Sequence, residues 1–96
     1  MARDDSQHIS RGLAQLVRQL GLEQRLKQQQ VIDQWPQLVG EKIGRISRAE
    51  RLQEGVLYVR VASMTWRTEL LFQKQAILVN ISNALGEGLV KDIRFI

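Results

Sequence analysis

Side chains that could carry out catalysis are few and scattered in this sequence. His8 is the single histidine and there are no cysteines, so neither a metal site nor a nucleophilic triad can be built on those residues. The acid pairs Asp33 with Glu41 and Glu50 with Glu54 have no motif around them and are expected to be solvated charges. A glycine-rich phosphate-binding loop with its lysine is also missing. We therefore predict no enzymatic activity, no metal and no cofactor.

Basic residues are concentrated in the middle of the chain. Fourteen Lys and Arg exceed ten Asp and Glu, which gives a net charge of +4, and residues 42–67 carry that whole excess. Arginine binds phosphate and an exposed tyrosine stacks on a base, so the pair suits single-stranded nucleic acid. A basic face that only confers solubility is the alternative. The candidate nucleic-acid-binding residues are Lys42, Arg45, Arg48, Arg51, Tyr58, Arg60 and Arg67.

Two tryptophans have a second kind of candidate role. Burying an indole removes so much apolar area from water that core packing is the default expectation for both. A surface for a protein partner is the alternative, and Trp66 and Trp35 are the candidate interface residues. If Trp66 belongs to the core, its truncation should unfold the domain.

Helical spacing of apolar residues predicts the first half of the chain. The first helix should end at Gly21, because glycine is the usual residue just past a helix C-terminus. Its apolar stripe consists of Ile9, Leu13, Leu16, Val17 and Leu20. A second helical pattern follows over residues 22–43, and Pro36 should kink it or begin a new helix.

After residue 46 the hydrophobic period changes from helical to alternating. The segment 56–62 is rich in β-branched and aromatic residues and is predicted to be a strand. With the charged segment before it, this strand should form a hairpin that turns at Glu54-Gly55. Successive side chains alternate across a sheet, so one face should enter the core. The residues of that face are Leu57, Val59 and Val61.

A long helix and a last strand complete the prediction. The helix should begin at a cap formed by Ser63 or Thr65 and end at Gly86. Residues 89–96 should form a strand that joins the hairpin. The predicted order is α-α-β-β-α-β, a single α+β domain with helices packed on a three-stranded sheet.

Length and composition fit one small globular domain. The chain has 96 residues, of which 44% are hydrophobic, and domains of about 100 residues have one core. No apolar stretch approaches the length of a membrane span, and the first residues lack a signal segment. We expect a cytoplasmic protein with no membrane contact and no small-molecule substrate. Residues 1–8 are expected to be a flexible N-terminal extension, and residues 9–96 the domain.

Four segments in order resemble a known family. They are Trp35-Pro36-x-x-Val39-Gly40, Gly55-Val56-Leu57-Tyr58-Val59-x-Val61, Ser63-x-x-Trp66-x-x-Glu69-Leu70 and Val90-Lys91-Asp92-Ile93. In this combination, from about residue 9 to residue 96, the chain resembles the DciA family of bacterial replicative helicase loaders. The resemblance implies a K-homology-like domain, binding to a DnaB-type helicase, affinity for DNA and no ATPase activity. The glycine-x-x-glycine loop of K-homology domains is absent, so nucleic-acid contacts should come from the arginines.

Three functions follow as hypotheses. The leading one is a non-enzymatic adaptor that binds the DnaB-type replicative helicase and assists its loading onto single-stranded DNA during replication. An RNA-binding domain acting in translation or RNA handling is the second, because it would use the same basic face. A homodimeric protein-interaction module is the third, in which a tryptophan and the long helix form the interface.

Overall fold

A computed structural model describes the backbone of residues 2–96 and the side chains from residue 11 onward. His8 and the extension expected over residues 1–8 lie outside the residues whose side chains are described. Four helices and three strands follow in the order α1 (Ala2–Asp33), α2 (Trp35–Val39), α3 (Glu41–Ile46), β1 (Ser47–Gln53), β2 (Val56–Val61), α4 (Met64–Leu85) and β3 (Asp92–Phe95). The predicted α+β class and element order are confirmed.

The three strands form a mixed sheet in the order β1-β2-β3. β1 and β2 are antiparallel, and β2 and β3 are parallel, with α4 as the crossover between them. The hairpin turn uses positive φ angles at Glu54 (51°) and Gly55 (79°), a conformation that suits a tight turn and favours glycine. Lys91 and Asp92 both donate their main-chain N–H to the carbonyl oxygen of Gly55. The turn therefore also fixes the start of β3.

The core lies between one face of the sheet and the helices. Leu57, Val59 and Val61 are buried, which confirms the face predicted from their alternation. Ile93 and Phe95 extend the same face on β3. The helices cover this face with buried side chains, namely Val31, Trp35, Leu70, Ile77 and Ile81. We refer to the opposite face of the sheet, which carries the exposed arginines, as the outer face.

The first helix is longer than predicted, and the described part of its apolar stripe, from Leu13 onward, is not buried. Gly21 lies inside α1, which continues to Asp33, so the predicted end at this glycine is wrong. A glycine within a helix costs only about 1 kcal/mol relative to alanine, which the helix-forming residues on both sides offset. Side chains 11–20 are all exposed, including Leu16 at 50% and Val17 at 68%. This half of α1 projects beyond the core.

Local signals set the other helix ends. Pro36 lies in the first turn of α2, and the chain breaks again at Gly40 with a φ of 92°. At the start of α4, the hydroxyl of Ser63 accepts the N–H of Trp66 at 3.2 Å, so the predicted cap is confirmed. Gly86 ends α4 as predicted. The last strand is shorter than the predicted 89–96. None of the helices within the described residues combines the length and apolarity needed to cross a membrane.

Candidate nucleic-acid interface

A β-bulge brings two of the predicted arginines to the same face. In a regular strand, residues three apart point to opposite sides of the sheet. In β1 the register shifts between Ala49 and Arg51, so that Arg48 pairs with Arg60 and Arg51 pairs with Tyr58. Because a bulge places one extra residue in a strand, Arg48 and Arg51 both lie on the outer face. The bulge thus creates the basic surface that the sequence suggested.

Tyr58 lies at the centre of this surface. The guanidinium carbon of Arg51 is 4.0 Å from the centre of the Tyr58 ring, a cation–π contact that covers part of the ring. On the other side of Tyr58, Arg94 is its partner across β2 and β3. Arg94 was not among the residues predicted from the sequence, although its place between the apolar Ile93 and Phe95 is a period-2 signal for the outer face. Arg94 is exposed and extends the basic surface to β3.

Acidic side chains already neutralise part of the charge. Glu50, the bulge residue, accepts two hydrogen bonds from Arg60 at 3.0 and 3.1 Å and one from Arg48 at 3.5 Å. The hydrogen bonds from Arg60 are the main cause that holds the pKa of Glu50 below its ordinary value. Arg45 pairs with Glu41 one turn earlier in α3. The sequence had suggested that these two glutamates are solvated charges. In the structure both of them form ion pairs with arginines.

Four of the predicted arginines surround one depression, where β1 begins, β2 ends and α4 begins. Arg45, Arg48, Arg60 and Arg67 line it, together with apolar side chains, and its volume is about 430 Å³. We call it the arginine depression. The Nε atom of Arg67 is buried and has no hydrogen-bond partner among the described residues. Such a group is unusual, because buried polar atoms are nearly always hydrogen-bonded.

Lys42 and Trp66 lie together in a different place. The ammonium group of Lys42 is 5.3 Å from the centre of the Trp66 ring. Both line a groove of about 510 Å³ between the start of α3 and the start of α4. Trp66 is partly buried and packs against the core on one side. Its position at a groove fits the expected partner surface, which stays a prediction, whereas Lys42 is not part of the arginine depression.

Trp35 belongs to the core. Its side chain is only 1% exposed, and its indole N–H donates to the hydroxyl of Ser47 at 2.9 Å. That hydroxyl donates in turn to the carbonyl oxygen of Ile43 at 2.6 Å. Trp35 thus occupies the core, which was the default expectation, and the alternative of a partner interface is not supported, because almost no surface of this side chain is left for a partner to contact.

The described residues contain no group of three or more His, Cys, Asp or Glu side chains close enough to hold a metal ion.

Comparison with known proteins places the chain in a family. The sequence profile described as "Dna[CI] antecedent, DciA" matches residues 8–95. The chain belongs to the DciA family. The DciA match includes α3, β1, β2 and α4, the elements that carry the four arginines of the arginine depression.

Curated relatives agree with DciA membership. A UPF0232 protein of Rhodococcus jostii is 33% identical over 79 residues, which cover 82% of this chain and 42% of the relative. A UPF0232 protein of Mycobacterium tuberculosis is 29% identical over 90 residues, 94% of this chain and 48% of the relative. One from Mycolicibacterium smegmatis is 28% identical over 92 residues, 96% and 47% respectively. The chain spans less than half the length of these relatives.

Proposed function

We propose that this protein is a non-enzymatic, cytoplasmic adaptor that binds a DnaB-type replicative helicase and assists its loading onto single-stranded DNA. The observation that carries the DNA part of the proposal is the set of arginines on the outer face and around the arginine depression. The helicase part rests on membership of the DciA family. A K-homology-like topology, implied by the resemblance, belongs to the same proposal.

The arrangement of the arginines supports binding to the strand backbone. Guanidinium groups release counterions from phosphates when they bind, and this makes affinity dependent on salt. Arg48, Arg60 and Arg67 lie around one depression, and Arg51, Tyr58 and Arg94 continue along the sheet. Tyr58 offers a ring for a base, although Arg51 already covers part of it. Phosphate contacts should therefore contribute more than stacking.

An adaptor of this kind acts through binding energy alone. A protein shifts the population of a helicase ring only by binding one conformation more tightly than another. Loading therefore requires that the adaptor prefers the ring state that admits DNA. The groove beside Trp66 is the candidate contact for the helicase, because it combines a partly buried aromatic ring with a rim of Lys42 and Glu41.

A pull-down of the organism's own replicative helicase, with and without single-stranded DNA, tests the proposal. We expect capture of the helicase in both cases, and fluorescence anisotropy should show that the adaptor alone binds an oligo-dT strand. Arg48→Gln combined with Arg67→Gln should weaken strand binding and flatten its salt dependence. The matched control is Arg18→Gln combined with Arg25→Gln on α1, which removes the same charge away from the sheet. Equal losses in both double variants would remove the site assignment.

Two further experiments separate the other hypotheses. Competition between oligo-dT and a structured RNA distinguishes a DNA adaptor from an RNA-binding domain, because the latter should prefer the RNA. Sedimentation over a range of concentrations detects a homodimer. A protein that dimerises but binds neither helicase nor nucleic acid would refute the adaptor function.

A further inference from the structure

The polar side chains that line the arginine depression are mainly hydrogen-bond donors. Arginine has five N–H donors and no acceptor, and four arginines contribute to this one surface. Glu50 and Glu41 engage Arg60, Arg48 and Arg45, so four positive charges face two negative charges. A net positive charge of two remains around the depression.

Arg67 differs from the other three arginines. Within the described part of the chain it forms no ion pair, and its Nε atom is buried without a hydrogen-bond partner. A charged donor removed from water in this way is unfavourable unless an acceptor reaches it. The Arg67 side chain as a whole is only partly buried and lines the open depression, so a rotation of this side chain would bring the Nε–H to an acceptor that the described residues do not provide.

A phosphate group fits this surface better than a nucleobase. The edges of bases present both donors and acceptors, and a lining of donors cannot satisfy the donors of a base. A phosphodiester presents only acceptor oxygens and one negative charge, and the planar fork of arginine binds it with charge-assisted hydrogen bonds. The net positive charge of the depression is compensated by one or two such groups.

We infer that the arginine depression seats a backbone phosphate of the bound strand, and that the Arg67 side chain turns on binding so that its Nε–H donates to a phosphate oxygen. This inference rests on the proposed DNA binding and specifies its chemistry. Contact at this point is independent of base identity and persists when the bases are removed. Arg48 and Arg60 supply the surrounding charge, and Arg67 supplies the donor that has no other partner.

The Nε–Hε resonance of Arg67 in the ¹⁵N-labelled chain tests the inference without a variant. Three probes are titrated separately: inorganic phosphate, an oligo-dT strand and an abasic strand of the same length. We expect the Arg67 resonance to move with the oligo-dT strand and with the abasic strand. Inorganic phosphate should move it only at much higher concentration, since a single ion has no neighbouring contacts.

Two substitutions at the same position add a quantitative test. Arg67→Lys keeps the charge but removes the Nε donor, and we expect it to weaken the binding of oligo-dT and abasic strands by the same factor. Arg67→Gln also removes the charge and should lower the salt slope by about 0.7, the value for one phosphate on a single strand. Arg18→Gln on the projecting half of α1 is the control and should change neither quantity.

The outcomes separate this inference from the proposed function. If strands bind but the Arg67 resonance stays in place, the phosphate site is refuted while DNA binding stands. Binding of oligo-dT without binding of the abasic strand refutes it as well, because the contact is then to bases. A response to inorganic phosphate alone assigns the depression to a free anion and also overturns the inference. If no strand binds, the inference and the DNA part of the proposed function fail together.

Discussion

Glu50 is expected to restrain DNA binding, so its neutralisation should strengthen it. This carboxylate accepts hydrogen bonds from both Arg60 and Arg48 on the outer face. In Glu50→Gln the side chain keeps its shape but loses its charge, and both guanidinium groups become free to contact phosphates. An acid-to-amide substitution on the basic surface should therefore raise the affinity for single-stranded DNA and steepen its salt dependence.

The size of the effect follows from the number of arginines released. Each additional phosphate contact on a single strand raises the salt slope by about 0.7. When the salt concentration falls fourfold, from 200 to 50 mM, the affinity of the variant should rise more than that of the wild type. The additional factor is about 2.6 for one released arginine and about seven for two. Stability should fall slightly, because Glu50 loses a charge that its arginine partners stabilise, although ion pairs near the surface contribute little.

Fluorescence anisotropy with an oligo-dT strand over this salt range measures both the affinity and the slope. Glu54→Gln is the matched control: it changes the charge equally, lies in the hairpin turn, and affects a carboxylate that forms no ion pair among the described residues. Glu54→Gln should raise the affinity for the strand less than Glu50→Gln does, because it changes only the overall charge. An unchanged or weaker affinity for Glu50→Gln, in a variant that melts like the wild type, would refute the view that Glu50 competes with phosphate for these arginines.

Three predictions concern stability and use urea unfolding. Ser47→Ala should lower the free energy of unfolding by about 1–3 kcal/mol, since the buried indole N–H loses its acceptor; a neutral result would contradict that role. Leu70→Ala in the core should cost about 2–5 kcal/mol, whereas Leu16→Ala on the projecting half of α1 should stay within about 0.5 kcal/mol; a similar loss at both positions would mean that the stripe is buried in solution. The Lys74 ammonium, 3.0 Å from Asp92, is the main cause that lowers the pKa of this carboxyl. Its contribution is present above the ordinary pKa of an aspartate and is lost as the pH falls through the lowered value, so Asp92→Asn should destabilise at neutral pH and have less effect in strong acid.

Signals that act within a few residues allowed much of the fold to be predicted from the sequence. The alternation of Leu57, Val59 and Val61 gave the buried face of β2, because the two faces of a strand meet different surroundings. Ser63 capped α4 and Gly86 ended it as expected. The predicted helix end at Gly21 was wrong because the local preference of glycine for a helix end is weak and the residues on both sides continue the helix.

Much of the candidate site depends on pairing between distant residues. The bulge at Glu50 follows from the register of β1 against β2, which no pattern within β1 specifies, and without it Arg48 and Arg51 would face opposite ways. The hydrogen bond that Arg60 donates to Glu50 joins residues ten apart. The exposed stripe of α1 could not be foreseen either, because helical spacing shows which residues share a face but not what covers that face.

The position of β3 has a consequence for synthesis of the protein on the ribosome. β3 pairs with β2 in parallel, after the whole of α4 has been made. Until Ile93 and Phe95 emerge, the nascent hairpin keeps one edge of β2 unpaired and the core without two of its buried side chains. An unpaired edge of this kind is prone to join strands of other chains. Emergence of β3 from the ribosome, rather than formation of the first helix, therefore sets the moment at which the domain can close.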